Sequence, residues 1–131
     1  MKKVIIIGGI YNIIFALFHC SMWKIFEWGS ELKKLSITNS GIVQILNIQT
    51  IYYFIFTAVI CFAFPNELQS TKLGKYFLAG TATFWLIRTI QQFIFYWTGN
   101  AAMFVMPAVF LSGAIIFLIP VFYKKRSITS K

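Results

Sequence analysis

Apolar side chains run through this chain in four long stretches, residues 4–23, 42–64, 76–97 and 101–123, and most of the charged residues fall in the gaps and at the ends. Each stretch meets the requirement of about 20 residues for a helix crossing roughly 30 Å of hydrocarbon. The pattern predicts an all-α fold, an integral membrane four-helix bundle, with residues 1–131 forming one transmembrane domain. The connections are too short to hold a soluble domain. Composition agrees with this reading. Of the 131 residues 59% are hydrophobic, 19% aromatic and only 11% charged, far from the balance of an ordinary globular chain.

The polar positions inside the stretches are few and unevenly placed. Asn12 and His19 lie seven apart in the first and so share a helical face; the second carries Gln44, Asn47 and Gln49; the third carries Thr81, Thr83, Arg88, Gln91 and Gln92. At about 1.5 Å per residue, Arg88 and Asn12 fall near the bilayer midplane, with His19, Asn47, Gln91 and Gln92 roughly 6 to 10 Å toward the outside. Arg88 dominates this layer. Its charge is permanent, and placing it at bilayer depth costs about 2.5 to 3.5 kcal/mol even on insertion scales. The three carboxylates, Glu27, Glu31 and Glu67, all lie in connections. What compensates Arg88 is therefore a neutral polar network, water, or an anion from outside the chain.

Amides and charges are costly against lipid. Asn12, His19, Asn47, Arg88 and one of Gln91 and Gln92 are expected to turn toward a shared pocket opening to the outer leaflet, with Trp23, Phe84 and Trp85 as apolar walls. The competing reading is structural, with the same amides holding the bundle by interhelical hydrogen bonds of about 0.6 to 2 kcal/mol each. Gly8 and Gly9, with Ala79 and Gly80, are expected to let the first and third helices approach closely.

Charge fixes orientation rather than ligand. The net charge of +9 suggests nucleic acid in a soluble protein, but here the basic residues flank apolar stretches. With four spans, one side collects Lys2, Lys3, Lys72, Lys75, Lys124, Lys125, Arg126 and Lys131, and the other Lys24, Lys33 and Lys34. This asymmetry places both termini in the cytoplasm. Trp23, Trp28, Tyr96 and Trp97 then mark the outer interface, and Tyr76 and Tyr123 the inner one. The first stretch reads as an uncleaved span, because no small-x-small site follows it. Its Ile-Gly-Gly run lacks the third glycine of a dinucleotide-binding turn.

Between the first two stretches, the first helix is expected to continue as an amphipathic turn, with Glu27 and Glu31 within reach of Lys24 and Lys34 and with Ser36, Thr38, Asn39 and Ser40 as capping residues. Pro65, Asn66 and Gly74 mark the second connection. Thr98, Gly99 and Asn100 make the third short enough for a tight hairpin. Cys20 and Cys61 fall near opposite membrane faces, about 25 Å apart along the normal, which excludes a disulfide within one chain. His19, Cys20, Met22, Met103 and Met106 are soft donors suited to Cu(I), but packing accounts for them, and no metal site is expected. One histidine argues against haem, and the lack of an intramembrane carboxylate argues against Mg²⁺ chemistry.

The sequence Phe18-His19-x-x-x-Trp23, then Gln44-x-x-Asn47, then Phe84-Trp85-x-x-Arg88-x-x-Gln91, resembles small bacterial four-helix integral membrane proteins. In size and topology the chain is similar to the DoxX-like group. The resemblance implies a multi-pass protein of the bacterial inner membrane; it rests on no motif with known chemistry and carries over no catalytic residue. The leading functional reading is non-enzymatic binding of an amphipathic or anionic ligand, a lipid headgroup or quinone, by Arg88, His19, Asn47, Gln91 or Gln92, Asn12, Trp23 and Trp85. Two others stand beside it: a membrane enzyme or redox subunit using His19 as acid or base, and an oligomeric anion channel or transporter lined by Arg88. No cofactor is assigned. The expected partners are the bilayer, such a ligand, and a second copy or another membrane protein, with no role for nucleic acid.

Overall fold

The computed structural model describes residues 1–96, 99 and 101–123, apart from the side chains of residues 101 and 102. Among these residues the chain is helical with no strand. The helices are α1 (Lys2–Ile25), α2 (Trp28–Glu31), α3 (Ile37–Ala63), α4 (Pro65–Ser70), α5 (Lys72–Phe95) and α6 (Val105–Phe122), with 3₁₀ turns at Leu32–Lys34 and Ala101–Phe104. Trp97, Thr98, Asn100 and the basic tail from Lys124 to Lys131, for which the sequence suggests interface, hairpin and orientation roles, lie outside the described residues.

Three helices, α1, α3 and α6, are long and apolar enough to cross a membrane. The 24 residues of α5 give it the length, about 36 Å, but Lys72, Lys75, Arg88, Gln91, Gln92 and three threonines dilute its apolar character.

The chain divides into two compact units, residues 9–63 and residues 1–8 with 64–131. In the first, the buried positions of α1 after Gly8 are Gly9, Asn12, Phe15 and Ala16, and those of α3 are Asn47, Phe54, Thr57, Ala58 and Cys61. Both sets keep the three-and-four spacing of a single helical stripe. Phe15 meets Phe54 with ring centroids 5.8 Å apart. The opposite faces carry exposed Ile10, Ile14 and Leu17 on α1, and Ile45, Ile48, Ile55 and Val59 on α3. A helix apolar on its exposed side as well as its buried one suits hydrocarbon as solvent. Gly9 lets α1 and α3 approach closely, since a Cβ there would stand 2.6 Å from the Phe62 ring and 3.1 Å from the Cys61 Cβ.

In the second unit α5 and α6 pack along each other. Their buried stripes are Gly74, Leu78, Thr81, Ala82, Trp85 and Thr89 on α5, and Pro107, Phe110, Gly113, Ala114, Phe117 and Pro120 on α6. Pro65 opens α4, where its missing donor costs least. Thr71 joins α4 to α5: its hydroxyl donates to the Glu67 carbonyl at 2.8 Å and accepts from the Gly74 N–H at 2.9 Å. Glycine is required at position 74, because a Cβ would stand 2.5 Å from the Glu67 carbonyl oxygen and 2.7 Å from that of Leu68.

Two local expectations are corrected. Gly8 approaches Phe117 and Ile116 of α6 rather than α5, Gly9 approaches α3, and Gly80 faces open space. Nor does α1 run on as one amphipathic turn. Glu27 adopts a left-handed conformation (φ 48°), ends the helix direction, and starts the separate short α2.

Candidate functional site

The best-defined polar contact lies in the unit of residues 9–63. Asn47, buried on α3, donates through Nδ2 to the backbone carbonyl of His19 on α1 at 3.1 Å. Its Oδ1 lies 2.7 Å from His19 Nδ1. The first bond fixes the second, because only the NH₂ end of the amide can donate to a carbonyl. Oδ1 must then accept, so His19 Nδ1 carries a proton and donates. In the neutral ring the lone pair therefore sits on Nε2, which is suited to accepting a hydrogen bond or a proton. The edge of Phe54, 5.4 Å between centroids, holds the imidazole from another side. The expected interhelical role is thus met by Asn47 together with His19.

Asn12 is fully buried, two turns before His19 on the same face of α1. Gln44 behaves differently from Asn47. Its longer side chain turns back along α3 and donates to the Ser40 carbonyl at 3.2 Å. Thr57 is a polar residue that the sequence did not bring forward. It is fully buried, and its hydroxyl has no hydrogen-bond partner among the described residues. A threonine in an apolar run reads as ordinary helix, and Thr50, Thr81 and Thr89 do bond to the carbonyl four residues back.

Trp23 ends its run of α1 against Trp28 of α2, with an edge-to-face contact at 5.0 Å. These two rings wall a cleft of about 590 Å³ that also involves Leu32, Lys33, Ile37 and Gln44. Lys33 is the charged side chain on its lining. Trp28 was legible as an interfacial aromatic, but its part in a cleft depends on the reversal at Glu27.

Arg88 belongs to the other unit. It is partly buried on α5, with its guanidinium carbon 4.8 Å from the centroid of the Phe110 ring on α6. Phe110 in turn stacks on the fully buried Trp85 at 6.0 Å and 28°. A cation over an aromatic face gains about 0.5 to 2 kcal/mol, which offsets part of the desolvation of a guanidinium. Among the described residues no carboxylate and no hydrogen-bond acceptor is placed on Arg88. The ion pair found there is Glu31–Lys34, 2.6 Å long and exposed. Gln91 is exposed and Gln92 half-buried, so of the two adjacent glutamines Gln92 is the inward one.

Cys20 is exposed and Cys61 buried, both as free thiols. Among the described residues no three of His, Cys, Asp and Glu gather as metal ligands. Within the unit of residues 9–63 the site residues give the His19–Asn47 pair, with Asn12 on the same face of α1 as His19; within the other unit they give Arg88 on its aromatic stack. Compared with protein-family models, with characterised proteins and with solved structures, the chain gives no match.

Proposed function

We propose that this chain is a four-span protein of the bacterial inner membrane, with both termini cytoplasmic, that binds an anionic amphiphile at Arg88 without transforming it. The single observation behind this reading is the guanidinium itself. It is partly buried on α5, rests on Phe110, which in turn stacks on Trp85, and meets no carboxylate or hydrogen-bond acceptor among the described residues. Five N–H donors in a fixed fork suit a phosphate, a carboxylate or a quinone oxygen, and such a group supplies what the ring cannot.

Depth is consistent with an amphiphile. Arg88 precedes the last residue of α5, Phe95, by seven positions, about 10 Å along the axis, a distance at which a ligand head near the membrane surface can meet a long cationic side chain. A ligand head placed there keeps its apolar part against Phe110 and Phe93. Four spans follow if α5, about 36 Å long, crosses beside α6. The excess of Lys and Arg around the N-terminus, the α4–α5 connection and the C-terminal tail then sets the orientation.

Native mass spectrometry of the wild-type protein and Arg88→Gln, each gently released from membranes, tests the reading. An anionic species carried by the wild type and lost from the variant supports it. No species lost from the variant, whether both proteins carry the same set or neither carries any, with unchanged thermal stability, replaces it with a structural role for Arg88.

A further inference from the structure

We propose that the cleft beside Trp23 and Trp28 is a second, independent site, and that it takes a single phospholipid with its phosphodiester at Lys33. Four observations lead there. The first is position: α1 ends at Ile25 and α3 begins at Ile37, so the short connection folds over one end of two helices that are each long and apolar enough to cross a membrane. The second is size. About 590 Å³ in an open cleft holds a headgroup and the upper part of an acyl chain, the remainder of the lipid staying in the bilayer.

The third observation is the division of the lining. Trp23, Trp28, Leu32 and Ile37 are apolar, whereas Lys33 and Gln44 are polar, with Lys33 the charged member. Lys33 makes no ion pair among the described residues, while its neighbour Lys34 is held by Glu31. An occupant matching this lining has one negative group and an apolar body; a free phosphate leaves the tryptophans unused. The fourth is exposure. Ile37 is 94% exposed at the cleft, next to exposed Leu35 on the connection. Such side chains are costly in water and ordinary at the headgroup–acyl boundary, where tryptophan also concentrates. A membrane lipid meets all four conditions. The edge-to-face Trp23–Trp28 pair then offers ring surface to an acyl chain, and their indole N–H groups can point toward the headgroup layer.

The test is a titration of delipidated full-length protein in neutral detergent with phosphatidylglycerol, followed by native mass spectrometry. Lys33→Gln, Trp28→Ala, Trp28→Phe and Lys72→Gln, the last removing an equal charge from the exposed start of α5, are each made in the Arg88→Gln protein, so that lipid held at Arg88 is not counted. One bound lipid is expected for the Arg88→Gln parent. Its apparent dissociation constant should rise about fivefold in Lys33→Gln, as loss of one lysine–headgroup attraction gives. Trp28→Ala should weaken binding likewise, with Trp28→Phe restoring most of it and guarding against a folding defect in the alanine variant. Lys72→Gln should leave this lipid in place, and a lipid held by a protein without Arg88 separates the cleft from the site proposed there. Equal weakening by Lys72→Gln, or unchanged affinity in Lys33→Gln or in Trp28→Ala, would overturn the proposal.

Discussion

Replacing Asn47 by leucine keeps the side-chain size and removes both bonds that join α3 to His19. Hydrogen bonds between membrane helices average about 0.6 kcal/mol and reach about 1.7, so two of them give about 1 to 3 kcal/mol. The 2.7 Å contact from His19 Nδ1 and the 3.1 Å contact to the His19 carbonyl differ in one useful respect. Only the first involves the imidazole. His19→Leu therefore removes one bond and leaves the backbone carbonyl still accepting from Asn47, at a cost of about 0.6 to 1.7 kcal/mol. In the His19→Leu background, Asn47→Leu should cost correspondingly less than in the wild type. A double-mutant cycle then isolates a coupling of about 0.6 kcal/mol or more, readable by steric trapping or chaotrope unfolding in bicelles. Strict additivity of the two substitutions, or a more stable Asn47→Leu protein, would refute the bidentate arrangement and with it the assignment of the Nδ1 proton.

Gly74→Ala should destabilise the protein by about 1 to 3 kcal/mol, because the new methyl meets backbone of α4 rather than a movable side chain; Gly80→Ala, with nothing within 4 Å, should be neutral or gain up to about 1 kcal/mol in helix propensity. The two melting curves in one detergent compare these directly. Lys34→Ala should change the melting behaviour by less than about 0.5 kcal/mol, since both partners of the Glu31–Lys34 pair are more than half exposed.

Much of the helical architecture was legible from the sequence, because a run of about 20 apolar residues suits little besides a helix long enough to cross hydrocarbon. The ends were less so. The second stretch reads from residue 42, yet α3 starts at Ile37, because Ser36 accepts from the Asn39 N–H and carries the helix through a polar first turn. The third reads from residue 76, yet Thr71 begins α5 at Lys72. The fourth reads from residue 101, where the chain first makes a 3₁₀ turn. The left-handed Glu27 gave no signal, since glycine or asparagine is the usual mark of that conformation.

For the site, spacing placed Asn12 and His19 on one face, and polarity singled out Asn47. It did not distinguish Asn47 from Gln44. One extra methylene lets Gln44 reach its own helix at Ser40, whereas the shorter amide of Asn47 reaches across to His19. Neighbouring glutamines point about 100° apart on a helix, so only one of Gln91 and Gln92 can face inward; the sequence could not say which. Gly8 and Gly9 announced close approach, but a missing side chain does not name its neighbour.

The packing of α5 along α6 also bears on how the protein reaches the membrane. In the four-span arrangement, Arg88 opposes insertion of α5 by about 2.5 to 3.5 kcal/mol. The eleven Val, Ile, Leu and Phe residues of α6 favour insertion by about 3 to 6 kcal/mol on the same scale. Joined through a short connection and a shared aromatic contact at Phe110, the two helices offset one another. The helix that carries the charge would then leave the translocon as half of a hairpin, and α6, chemically the plainest segment of the chain, would act as its escort.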